Sequence, residues 1–219
     1  MPKISFSSED VHQWLLNMKI NEMRYYLDDL IKSLNNMERE FSKRTEEQAR
    51  KIKDERERGE FYDFSSDDYW RYKETFPRIF LNSFHVSSYS LLESETLAIA
   101  RNIGKKQNQV FGVFDIKGGD YLNSASLYIE RLTGIKPNQF GMWDALKDAQ
   151  RLRNIIVHLN GRLSEPSDIK IAKRLNVFND DFLDYPVVFV SVDYSKLFLD
   201  SMSAFLTELL SRVEKGKYL

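Results

Sequence analysis

Cysteine is absent from this 219-residue chain, and histidine occurs only three times. Without thiols there is no disulfide framework and no thiolate metal or redox site. The histidines stand far apart at positions 12, 85 and 158, so no zinc cluster and no metal are expected. Nucleotide-cradling glycine motifs are also missing. The turn Lys117-Gly118-Gly119-Asp120 lacks both the lysine–serine ending of a P-loop and the spacing of a dinucleotide fold, and no cofactor is expected. No apolar run approaches the ~18 residues of a membrane span. The first residues show no basic stretch leading into an apolar one, so no signal peptide and a cytoplasmic location are expected. An excess of one charge is lacking too. Thirty-two Lys+Arg stand against 33 Asp+Glu, which gives no global basic signal for nucleic acid and leaves only a local patch to supply one.

What is present suffices for a core, since 42% of residues are hydrophobic and 13% aromatic. The pattern predicts a mainly α protein with one small β element. A short helix is expected over 8–18 and a second from Ile20, whose apolar positions Ile20, Met23, Leu27, Leu30, Leu34, Met37 and Phe41 follow an a/d heptad stripe. Such a stripe suits either packing on the chain's own body or a coiled coil. Beyond Phe41 the charged tract to Gly59 is expected to project into solvent. Residues 60–75 read as an aromatic connection with a turn at Ser65–Asp68. Pro77 opens a helix to about 106, residues 107–121 form a loop, and Ser124 begins a helix to about Arg131. A helix over 140–159 ends at Gly161 as its C′ residue. Residues 169–178 and 186–192 are expected to pair as a hairpin, and 193–214 is a strong amphipathic helix. Two domains follow, an N-terminal helical extension over 1–75 and a helical domain over 76–219.

The segment Arg151-Leu152-Arg153-Asn154-Ile155-Ile156-Val157-His158 concentrates the chemistry. Asn154 and His158 are four residues apart and share a helix face; Arg151 falls near it, and Arg153 flanks it at about 140° from His158. Leu152, Ile155, Ile156 and Leu159 are expected on the buried face. An Asn–His pair at a helix end also serves free carbonyls and the helix dipole, and that structural role is the alternative to a site.

Arg153 followed by Asn154, with His158 after four intervening residues, resembles the Arg-x4–6-His signature of the HEPN superfamily. There the motif lies near the end of the third helix of a four-helix bundle, and 77–106, 124–132, 140–159 and 193–214 supply four helices in that order. The resemblance covers roughly 76–219. It implies a metal-independent endoribonuclease of toxin–antitoxin or phage-defence type, with Arg153, Asn154 and His158 as catalytic residues. It further implies an RNA substrate, a homodimer with a composite site, and an antitoxin or regulatory partner. Arg151 also satisfies the spacing, but Asn154 favours Arg153. A polar residue on the first bundle helix would be Glu93 or Glu95. His85 and His12 match nothing. Cleavage of RNA without a metal needs an acid, a base and charge stabilisation, which His and Arg supply. Such an enzyme is expected to show a positive concave site around His158. Two other readings are a non-catalytic HEPN-like module that binds RNA, nucleotide or protein, and an unrelated helical scaffold acting through the 20–41 stripe.

Overall fold

Ile20, Leu27 and Leu34 return to one helix face every seven residues, and all three are buried. In the computed structural model, which describes residues 8–117, 119–180 and 184–219, they lie on one unbroken helix, α1 (Ser8–Ala49). The break expected near residue 19 is absent. Lys19 continues the helix and its ammonium meets Glu95 of α3 (Phe76–Lys106) at 2.7 Å. Leu16, Ile20 and Leu27 join the main apolar core, with α1 packed on α3 and on α7 (Val192–Lys215). The heptad stripe is therefore an internal surface rather than one offered to a partner. Polar contacts fix the same seam: Arg24 pairs with Asp200 at 2.7 Å, and Gln13 donates to Thr207 at 3.2 Å.

The charged tract does not run on to Gly59. The chain turns after Ala49, and α2 (Glu55–Trp70) folds back along α1 with Asp54 accepting from the Glu57 N–H at 2.9 Å as its N-cap. The aromatic connection is thus helical. Ser65 and Ser66, which suggested a turn, donate their hydroxyls to the carbonyls of Phe61 (2.9 Å) and Asp63 (2.7 Å), a local satisfaction that leaves the helix intact. One π turn (Arg71–Thr75) joins α2 to α3, with the Phe76 N–H reaching back to the Arg71 carbonyl. Pro77 explains it: proline has no N–H to donate, its ring crowds the carbonyl four residues back, and a wider turn relieves both. Phe41 stacks on Tyr72 at 4.8 Å and holds this turn to α1. The division expected between 75 and 76 falls inside a helical run that continues from Glu55 to Lys106.

Helix α3 is the axis of the bundle and packs against α4 (Tyr121–Thr133), α5 (Trp143–Leu159) and α7. Helix α4 starts three residues before the expected Ser124 because Asp120 caps it, accepting from the Asn123 N–H at 2.8 Å. The Tyr128 side chain of α4 lies against Gly104 of α3, where a Cβ would collide with the hydroxyl that donates to the Phe111 carbonyl at 3.0 Å.

The expected strand over 169–178 is a correction. Residues Pro166–Arg174 form a helix, α6, because Pro166 starts it and Asp168 in its first turn is drawn to Arg151 on α5. What remains of the hairpin is two residues a side: Phe178 opposes Val188 and Asn179 opposes Val187 in antiparallel register. Residues 181–183 of its connection lie outside the described residues. Among the described residues no helix is long and apolar enough to cross a membrane.

Candidate functional site

Two consecutive residues with left-handed backbone end α5, Asn160 at φ 50° and Gly161 at φ 80°. Gly161 donates its N–H to the Ile155 carbonyl at 3.0 Å, and its own carbonyl accepts from the Val188 N–H at 2.8 Å. Beneath them, buried Asn82 of α3 donates from Nδ2 to the Val188 carbonyl and accepts at Oδ1 from the Val190 N–H, both at 3.0 Å. The helix end is thereby pinned to the hairpin and to the bundle axis. This anchorage fixes where the last turn of α5 points.

Along α5, Leu146, Ala149, Leu152 and Ile155 are buried and Ile156 is half-buried. Leu159 differs from expectation: it is 47% exposed, because the final turn has left the cover of the bundle. His158 on that turn is exposed. Arg151 points toward α6, where Nε and Nη2 donate to the two oxygens of buried Asp168 at 2.7 and 3.1 Å. That fork raises the pKa of Arg151 further, against the opposing effect of burial.

Arg153 and Asn154 face a different space. They line a cleft of about 620 Å³ with Glu93 of α3, Asp120 and Tyr121 at the start of α4, and Gln150. Arg153 donates from Nη1 to Asn154 Oδ1 at 3.0 Å, while its Nε is buried without a partner among the described residues. Glu93 lies within electrostatic range of Arg153 but forms no ion pair or hydrogen bond among the described residues. Burial raises its pKa; Arg153 opposes that and Asp120 adds to it. Burial would raise Asp120 as well, but donation from the Asn123 backbone, Lys147 and Gln150 prevails, and its carboxyl sits below the usual range. Lys147 reaches Asp120 at 3.0 Å and also donates to Gln150. Beside the cleft the buried Tyr89 hydroxyl has no partner among the described residues, and burial, with Glu93 and Asp120, raises its pKa.

Of the residues singled out in the sequence, the fold brings Glu93, Arg153 and Asn154 to one cleft. His158 stands one turn beyond Asn154 on the same helix face, about 6 Å further along the axis, outside the cleft lining. Arg151 and Glu95 are engaged elsewhere, with Asp168 and Lys19. His85 is buried, its Nε2 3.0 Å from the Ala149 carbonyl, and His12 lies 3.7 Å from Glu214. The cleft is not uniformly positive. Lys117 and Arg153 share its lining with Glu93 and Asp120. Phe114, Tyr121 and Gln150 carried no signal in the sequence, and Lys117 and Asp120 entered only within a turn rejected as a phosphate cradle; all five are in the lining. The available signal was Asp120 as an N-cap, which would have started α4 three residues earlier; it carries nothing about which helix the preceding loop meets.

The chain matches no family model, no curated protein and no solved structure.

Proposed function

We propose that this chain is a metal-independent endoribonuclease of HEPN type in which Arg153, Asn154 and His158 act on one phosphodiester. The observation that carries the reading is the pairing of a partly unsatisfied arginine in a cleft with an exposed histidine on the same helix end. In the reaction, a base removes the proton of a ribose 2′-hydroxyl, and the 2′-oxygen attacks phosphorus. The 5′-oxygen leaves with a proton from an acid, giving a 2′,3′-cyclic phosphate and a 5′-hydroxyl. The Arg153 guanidinium has a permanent charge and a planar fork of donors for the phosphoryl oxygens. Asn154 holds that fork in place. One His158 serves as base or as acid, and the second role falls to His158 of a second copy across a two-fold axis. Its exposure and the lack of cover over the last turn of α5 support such a meeting. A cellular role in toxin–antitoxin or phage defence, in the cytoplasm and under a regulatory protein, is part of the same proposal.

The test is purified protein with total RNA in EDTA, wild type against His158→Ala. Loss of a general acid–base group lowers rate by about 10²–10⁴-fold. Cleavage that survives this substitution, or that requires added magnesium, refutes the mechanism and favours a non-catalytic binding module.

A further inference from the structure

Two large aromatic side chains stand in the open beside the cleft: Phe114 is 59% exposed and Tyr121 is 54% exposed. Both belong to its lining, their ring centroids 5.8 Å apart and their planes at 71°. The Arg101 guanidinium covers Phe114 at 5.3 Å, which stiffens this wall from behind. Exposed rings of this kind, next to a positive group, are what unstacked bases use as platforms. A volume near 620 Å³ falls in the range of pockets that enclose a small organic ligand.

The acidic part of the lining decides which base. Of the two carboxylates there, Asp120 already accepts from Asn123 and Lys147. Glu93 has no such donors among the described residues, and burial disfavours its charge. A carboxylate only accepts hydrogen bonds, through two oxygens side by side. Guanine alone among the four standard bases offers two adjacent donors on its Watson–Crick edge, N1–H and the 2-amino group. Adenine and cytosine each place a ring acceptor beside one amino group, and uracil flanks its single donor with two carbonyls.

We propose that the cleft seats a guanine of single-stranded RNA, with Glu93 accepting from N1–H and the 2-amino group, Phe114 and Tyr121 as the stacking wall, and Arg153 on that nucleotide's 3′-phosphate. The inference rests on the ribonuclease reading for the chain that carries the base, and it makes Glu93 a specificity-determining residue. Arg153 suits its part because Nη1 is engaged with Asn154, which orients the guanidinium in the cleft lining, while Nε has no partner among the described residues.

The experiment is calorimetric titration of the intact chain with guanosine, adenosine, cytidine and uridine 3′-monophosphates. The guanosine nucleotide should bind about tenfold or more tightly than the others. Glu93→Gln, which replaces one acceptor by a donor, should bring the four within about twofold. Phe114→Ala and Tyr121→Ala should weaken all four by about tenfold and leave the ranking unchanged. Equal binding of the four nucleotides by wild type, or a guanosine preference that survives Glu93→Gln, overturns the proposal. If Glu93→Gln does not fold, the wild-type ranking decides alone. RNA cleavage abolished by His158→Ala but without nucleotide preference overturns the base seat and leaves the ribonuclease standing. A guanosine preference lost in Glu93→Gln, in a chain that cleaves no RNA, supports the seat and removes the ribonuclease.

Discussion

Arg153 donates to the side chain of its own sequence neighbour, Asn154, at 3.0 Å, so the two residues present one rigid polar unit to the cleft. Adjacent residues on a helix diverge by about 100°, and only a long side chain folding back along the surface makes this contact. Arg153→Ala should lower RNA cleavage by roughly 10²–10³-fold, the usual cost of losing a charge-stabilising donor. Arg153→Lys should recover little, because an ammonium has no fork to divide between Asn154 and a phosphate. Single-turnover rates in EDTA check both. Recovery to wild-type rate by lysine would show that point charge alone matters.

Arg151 should behave in the opposite manner. Its partner Asp168 is almost fully buried, whereas the arginine side chain is half-exposed. Arg151→Ala leaves that carboxylate without its fork and should destabilise the fold by about 2 kcal/mol, less than a fully buried pair because water reaches the arginine side. Chemical denaturation measures this. Cleavage per folded molecule should stay near wild type, and a large fall in it would move the catalytic arginine from 153 to 151.

His85 gives the fold a predictable acid sensitivity. Burial takes its pKa from the ordinary 6.5 down to about 4, although the Ala149 carbonyl pulls the other way. Above pH 6.5 neither the folded nor the unfolded imidazole carries the proton, and His85 makes stability no different with pH. Between 6.5 and 4 the unfolded chain binds a proton that the folded chain refuses, so stability is lost as pH falls. About 2 kcal/mol should disappear from pH 7 to pH 5. His85→Gln retains a donor for Ala149 and should flatten that slope. Urea midpoints of both proteins across this window test it, and parallel slopes would assign the acid loss to other groups.

The composite site has a direct chemical test. Because the chain has no cysteine, His158→Cys introduces its only thiol. Two copies facing one another across a two-fold axis should form an intermolecular disulfide under mild oxidation, provided their Cα atoms approach within about 7 Å. A non-reducing gel should show a dimer that reductant dissolves. A dimer by sedimentation that never cross-links through residue 158 would remove the shared site.

The sequence expressed its helices more faithfully than its connections. Heptad spacing from Ile20 to Leu34, Pro77 and Gly161 each marked a real feature, because each reflects a local rule of helix geometry. Ser65–Asp68 and Ile169–Ile171 misled, since turn chemistry and β-branching yield to packing against α1 and to the Asp168–Arg151 pair. Arg153 and Asn154 were legible as polar residues on an apolar helix. Glu93 was legible only as one of two acidic candidates on the first bundle helix, and that Phe114 and Tyr121 would join it was not, because that meeting depends on how α3, α4 and α5 come together.

The pairing of α1 with α7 also sets a timetable for synthesis. The apolar face of Leu16, Ile20 and Leu27 leaves the ribosome well before one of the helices that covers it, which begins at Val192. At ~5–20 residues per second, that cover arrives on the order of 10–30 s later. During this interval the nascent chain displays a long greasy seam with part of its intended partner not yet made. It is in this interval that a chaperone recognising exposed apolar helices would find the most to hold.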